Sequence, residues 1–112
     1  MEKKTIKKHG RGPFFERCYA LLRKVPKGKV TTYKALAQAL GTRAYRAVGQ
    51  AMNRNPYAPK VPCHRVVASD GSLHGFAHGL RRKAEMLKKE GIVIENEKVV
   101  DFEKKVFAFR KK

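Results

Sequence analysis

The sequence predicts a mainly α domain with a small β component, built on a helix-turn-helix, and three observations carry that expectation. Apolar residues recur at helical spacing in four stretches between Phe14 and Leu87. Two of these stretches, 33–40 and 44–53, are separated only by a short segment containing Gly41, as two helices joined by a tight turn would be. After Gly91 the pattern changes to short β-branched runs, Ile92-Val93-Ile94 and Val99-Val100, around the polar Glu95-Asn96-Glu97, which predicts one hairpin. At 112 residues there is room for one domain with one modest core.

Residues 1–12 are mostly Lys, Arg, Glu and Gly with only Ile6 to bury, too little to offset the entropy of ordering. They are expected to form a flexible basic arm ahead of a single domain over 13–112 that ends in a short basic tail. Pro13 suits a first helical turn, and Phe14, Cys18, Leu21, Leu22 and Val25 predict one buried face of a helix ending near Lys24. Pro26-Lys27-Gly28-Lys29 is a turn. Thr32 is placed to cap a helix from Tyr33 to Leu40, with Leu36 and Leu40 inward and Gly41 as its stop.

In the next helix, Ala47, Val48, Ala51 and Met52 form a small or apolar stripe, while Arg43, Arg46, Gln50 and Asn53 share the free face. Asn55-Pro56 ends it, and a loop leads to Val61-Pro62-Cys63-His64-Arg65-Val66-Val67. Residues 65–68 are predicted as a strand, Ser69-Asp70-Gly71-Ser72 as a turn and 75–79 as a glycine-flanked loop. A fourth helix is expected over Leu80–Glu90, with Leu80, Ala84 and Leu87 inward, its Lys and Arg residues outward and Gly91 at its end. The tail from Glu103 mixes Lys with Val106, Phe107 and Phe109, a composition compatible with docking or with staying loose.

The charge points to a polyanion: 27 Lys and Arg against 9 Asp and Glu give +18. No acidic residue falls between Glu16 and Asp70, whereas basic ones recur from Arg17 to Arg65. A helix-turn-helix pattern alone is weak, since many αα-hairpins bind nothing, but inside an acid-free basic segment it favours nucleic acid. No apolar run approaches the roughly 18 residues of a membrane span. No signal peptide precedes Cys18 and Cys63, so a reduced, intracellular, cytoplasmic and DNA-associated protein is expected. Neither cysteine lies in a Cys-x-x-Cys pair, and no metal site is expected.

The heptad at 61–67 places a thiol beside an imidazole. Taken alone, such a pair describes a buried, inert cysteine more often than a nucleophile; activated by a neighbouring base, the same thiol becomes reactive. Context favours the second reading. The Pro-Cys-His-Arg-Val core resembles the active-site signature of the O6-alkylguanine-DNA alkyltransferases. The likeness continues through Gly28-Lys29-Val30-Thr31-Thr32-Tyr33, Arg46-Ala47-Val48-Gly49, Asn55-Pro56, Gly79-Leu80 and Glu90-Gly91 in family order.

That resemblance implies a winged helix-turn-helix-like domain of the alkyltransferase family and a single-turnover transfer of an alkyl group, methyl above all, from guanine O6 in duplex DNA to Cys63. It implies that Glu90 orients His64, that His64 acts through a water on Cys63, and that Tyr33 donates a proton or hydrogen bond to the extruded base. The recognition helix would enter the minor groove, where Ala44, Ala47 and Gly49 permit close approach beside Gln50. Arg46 would take the place of the rotated nucleotide and Met52 would pack on its face. Val66 would offer its main-chain carbonyl to the guanine amino group, and Asn55 would brace the turns between helix and thiol. No cofactor is implied, the protein is expected to act as a monomer, and its partner is double-stranded DNA containing O6-alkylguanine.

Departures from the family pattern are equally specific. The usual N-terminal domain is expected to be replaced by the basic arm. Phe76 stands where Tyr is frequent, Ala77 where Ser is common, and His78 where Gly is usual; a His78 ring pointing inward would narrow the expected pocket, and one swung outward would not. Two other classes stay open: an alkyltransferase-like lesion-binding protein without transfer activity, whose members typically lack the reactive cysteine, and a plain helix-turn-helix DNA-binding protein, in which His64 and Glu90 would have no task.

Overall fold

Helix α1 (Pro13–Leu22) begins with a proline at a position whose amide the helix cannot use, and Gly12 ahead of it has a φ of 85°. The computed structural model describes residues 12–58, 60–73, 79–107 and 109. The face that α1 buries is Phe15, Cys18, Tyr19 and Leu22, continued by Val25. Phe14 and Leu21, expected inward, are only partly buried. The shift follows from Tyr19, a residue absent from the expected stripe. Its ring meets Tyr57 edge-on at 5.4 Å, and its hydroxyl donates to the Ala51 carbonyl at 2.8 Å, so its polar tip is satisfied inside the core.

Strand β1 (Thr31–Thr32) runs directly into helix α2 (Tyr33–Ala39). Thr32 closes the strand and caps the helix, its Oγ1 accepting from the Ala35 amide at 2.9 Å. Replacing it with alanine is expected to lower stability by about 1 kcal/mol. The measurement is the denaturant midpoint of Thr32→Ala; an unchanged midpoint would mean the cap contributes nothing. Gly41, with a φ of 77°, lets the chain turn into helix α3 (Tyr45–Asn53), which buries Val48, Ala51 and Met52. Arg43, Arg46, Gln50 and Asn53 are all exposed. The helix-turn-helix is α2 followed by α3.

The heptad is not the strand expected over 65–68. Cys63–Arg65 form one 3-10 turn, and strand β2 comprises only Val66–Val67. Strand β2 pairs in parallel with β1, Thr31 opposite Val66 and Thr32 opposite Val67, which sets the cysteine turn beside the start of α2. Successive strand residues face opposite ways. Val66 accordingly joins the core formed by α1, α2, α3 and Val61, and Val67 joins a second one with Val30, Leu73, Leu87, Ile92 and Val99.

Helix α4 (Leu80–Lys89) is capped by Glu90 and ended by Gly91, whose φ is 91°. Leu87 is buried, and Leu80 and Ala84 partly so. The expectation that its cations all point outward is wrong at one position: Lys83 is fully buried. Strands β3 (Ile94–Glu95) and β4 (Lys98–Val99) form the predicted hairpin. Its loop is Asn96-Glu97, one residue shorter than expected, and both take positive φ (51° and 61°) as a type I′ turn requires. The tail docks. Helix α5 (Phe102–Lys105) is followed by a bridge from Val106 to Val30, where the Phe107 amide donates to the Val30 carbonyl at 2.7 Å. Phe107 and Phe109 pack on the first core.

Candidate active site and nucleic-acid face

The 3-10 turn rotates successive side chains by about a third of a circle, so Cys63 and His64 do not diverge as they would on a strand. Both are buried, at 7% and 3% exposure. His64 Nε2 lies 2.9 Å from Glu90 Oε2, and Arg65 clamps the same carboxylate with two bonds, Nε to Oε1 at 2.9 Å and an Nη to Oε2 at 2.7 Å. The other Arg65 Nη donates to the Val25 carbonyl at 2.8 Å, tying the clamp to the end of α1. Burial pushes the Glu90 carboxyl upward, but the hydrogen bonds from Arg65 and His64 outweigh it and hold the group below its ordinary range. Burial also lowers His64, against the opposing pull of Glu90, so the imidazole is neutral at neutral pH. A carboxylate only accepts, so Nε2 carries the proton and Nδ1 keeps its lone pair for work as a base.

Two further groups surround the thiol. Tyr33, the first residue of α2, is half-buried; burial and then the charge of Cys63 push its phenol up to about 12, so it stays protonated and able to donate. The Lys83 ammonium lies 5.9 Å from the centre of the Tyr33 ring. Burial brings this lysine down to about 8, and Cys63 acts in the opposite direction, which places the cation within the electrostatic reach of the thiol. Cys18, by contrast, is fully buried on α1, and burial raises its thiol to about 11 despite neighbouring Arg17. Of the two cysteines, Cys63 is the one whose charge acts on Tyr33 and Lys83, and it is followed directly by His64, whose ring meets Glu90.

The groups expected to meet DNA lie on α3 and around it. Ala44, Arg46 and Gln50 are exposed, and Ala47 and Gly49 half-buried. A side chain added at Gly49 would meet nothing within 4 Å, so that flank of the helix is open. Met52 is buried in the same apolar cluster as Cys63 and Val66. Asn55 spans the loop between α3 and the cysteine turn, donating to the Val61 carbonyl at 2.7 Å and accepting from the Tyr57 amide at 2.9 Å. Phe76, Ala77 and His78 lie outside the described residues. Among the described residues no three His, Cys, Asp or Glu side chains gather as metal ligands, and no helix is long and apolar enough to cross a membrane.

Residues 13–92 match the family model described as the DNA-binding domain of 6-O-methylguanine DNA methyltransferase. The chain belongs to this alkyltransferase family. Over 78 residues it is 50% identical to the methylated-DNA–protein-cysteine methyltransferase of Methanosarcina barkeri, a match covering 69% of this chain and 49% of that protein. The crystal structure of the O6-methylguanine-DNA methyltransferase of Pyrococcus kodakaraensis superposes with a TM-score of 0.67 at 47% identity, covering 73% of this chain and 48% of the other. S. pombe Atl1, solved in complex with DNA containing O6-carboxymethylguanine, gives a TM-score of 0.75 at 30% identity and covers 84% of this chain and 94% of its own. The alkyltransferase chain thus spans about half the length of the curated relative and nearly all of the smaller S. pombe protein.

Within this candidate site, sequence reading missed Lys83 and the Arg65 clamp. Lys83, Leu87 and Glu90 recur at four and three residues, one helical face, and a lysine on a face otherwise facing the core was the available signal. Glu90→Gln is expected to slow alkyl transfer about tenfold and to lower stability by about 2 kcal/mol, since it removes the charge from a half-buried carboxylate that meets three hydrogen-bonding nitrogens, two of them from Arg65. Its pH signature has a definite sign. His64 and Glu90 are both shifted down from 6.5 and 4.5, so their contribution to wild-type stability is fully present above the imidazole range and declines on acidification through the two folded-state values. Glu90→Gln removes the carboxylate part, and its unfolding curve should flatten below about pH 4.5; parallel curves for both proteins would contradict the assignment.

Proposed function

We propose that this chain repairs DNA by taking an alkyl group from guanine O6 onto Cys63, once per molecule. The observation that carries the reading is a neutral His64, next to Cys63 in the chain, whose Nε2 is held by the Arg65-clamped Glu90 in a chain of alkyltransferase sequence. A bond forms between Sγ and the alkyl carbon, and the bond from that carbon to O6 breaks. The thiol proton passes to His64 Nδ1, through a water in the scheme the family implies, and the departing guanine gains a proton or hydrogen bond at the Tyr33 phenol. Every atom is supplied by thiol and substrate, so no cofactor enters. Lys83 contributes a positive charge where negative charge develops on sulfur and guanine.

The DNA-facing roles follow the same reading. The substrate is duplex DNA and the protein acts as a monomer. Helix α3 enters the minor groove by the small side chains of Ala44, Ala47 and Gly49, with Gln50 on the free face, and Arg46 fills the place of the extruded guanosine. Extrusion costs a few kcal/mol, least for a poorly paired base. Met52 packs on the flipped base, the Val66 carbonyl accepts from its amino group, and Asn55 keeps groove and thiol in register.

The likeness to S. pombe Atl1 along nearly its whole length favours a second reading, lesion binding without transfer. Retention of Cys63 with its base and orienting acid supports transfer. Intact-protein mass spectrometry after incubation with O6-methylguanine duplex separates the two. A gain of one methyl group per protein supports transfer; an unchanged mass with lesion-selective binding supports the sensor, and unselective binding a plain DNA-binding protein.

A further inference from the structure

Tyr45 opens α3 next to Arg46 and is one of two large apolar residues left exposed among the described residues, at 43%. Nothing in the fold requires a tyrosine there: the helix would start as well on a smaller residue, and the ring belongs to neither core. Its backbone is nevertheless braced. The Tyr45 amide donates to the Arg43 carbonyl at 2.7 Å, and the Ala44 amide donates to Thr42 Oγ1 at 3.1 Å, so the turn that carries the ring is braced. The ring borders a shallow cavity of about 340 Å³ with Gln38, Gly41, Thr42 and Arg43, on the α2 side of the recognition helix. Around the helix, Tyr45 falls on the flank shared with Gly49, where the surface is open. An exposed ring on a braced turn, flanked in sequence by exposed Arg43 and Arg46 in a segment without any carboxylate from residue 17 to 69, suits a polyanion that also offers flat apolar surfaces.

We propose that Tyr45 is a second wedge: while Arg46 fills the vacated position, the Tyr45 ring packs on the base and deoxyribose of the adjoining pair and keeps the gap from closing. This rests on the minor-groove flipping reading and adds a positioning residue to it. Consecutive Cα atoms are about 3.8 Å apart, close to the roughly 3.4 Å rise of one base step, so adjacent residues at a helix start can serve adjacent steps. Apolar wedges between base steps are a recurrent device of minor-groove binders.

Tyr45→Ala and Tyr45→Phe test it. Transfer to Cys63 is followed in single turnover with O6-methylguanine in duplex and in single-stranded DNA. A lost stacking contact predicts roughly a tenfold slower reaction of Tyr45→Ala on duplex, almost no change on the single strand, where no gap must be held, and full rescue by Tyr45→Phe. An equal loss in both variants would mean the hydroxyl meets phosphate and would overturn stacking; so would wild-type rates throughout, or equal slowing on both substrates. The second readout needs no chemistry. The protein has four tyrosines and no tryptophan, so the emission lost on adding lesion duplex, compared between wild type and Tyr45→Phe, isolates this ring. If wild type transfers no alkyl group, the transferase reading fails while quenching that is smaller in Tyr45→Phe upholds the wedge; equal quenching in both proteins sinks the wedge alone.

Discussion

Cys63→Ala is expected to abolish alkyl transfer while leaving binding to lesion duplex unchanged. The thiol occupies the 3-10 turn, whereas the exposed basic residues sit on α3 and its flanks, so one element can lose its chemistry without disturbing the other. Removing a single sulfur from a residue 7% exposed leaves a small void, and stability should fall by about 1 kcal/mol at most. Peptide mapping of the wild type after reaction should place the alkyl group on Cys63 only. Cys18 lies on the apolar face of α1, with its thiol held protonated up to about 11, and offers no nucleophile near neutral pH. Residual transfer by Cys63→Ala, label on Cys18, or turnover beyond one equivalent would each reject the mechanism.

Lys83→Met is expected to make the protein more stable and slower at once. A lysine shifted from 10.5 to about 8 binds fewer protons folded than unfolded between those values. Its burial therefore weighs fully against folding below about pH 8, and that penalty is relieved as pH rises toward 10.5. Methionine has a similar length and no charge. Lys83→Met should gain on the order of 2–3 kcal/mol at pH 7, with the gain shrinking toward alkaline pH. Alkyl transfer should drop roughly 100-fold, the scale seen when a preorganised charge-stabilising group is lost, with DNA affinity unchanged. A variant both less stable and fully active would show that the buried amine serves packing alone.

The elements legible in the sequence were those with a long period or a cap. Helices α1 to α4 follow from apolar spacing, and Thr32 and Gly91 mark their ends as expected. What escaped was short or relational. Two-residue strands carry no period, so the β1–β2 pair that seats the cysteine turn beside Tyr33 left no trace along the chain. Tyr19 was passed over because tyrosine occupies surfaces and cores alike; only its bond to the Ala51 carbonyl explains its burial. Lys83 was read as solvated because lysine nearly always is. Of the site, Cys63, His64, Glu90 and Tyr33 were named through motif likeness, and the geometry brings these four to one locus. The Arg65 clamp needed coordinates, since no spacing rule predicts that one guanidinium will join the carboxylate after α4 to the end of α1.

Helix α4 holds its two functional charges in the reverse of the order its own backbone prefers. The peptide dipoles leave the start of a helix positive and its end negative, yet the cation Lys83 lies one turn in and the anion Glu90 occupies the C-cap. The backbone field thus repels both, adding to what burial does to the lysine and opposing what Arg65 and His64 do for the carboxylate. Lys88 and Lys89 in the last turn answer part of this from the solvent side. The consequence is that α4 is a helix its surroundings must enforce: cut out as a peptide it would be weakly ordered, and it is locally frustrated so that the turn opposite it sees a positive group and a negative group about two helical turns apart.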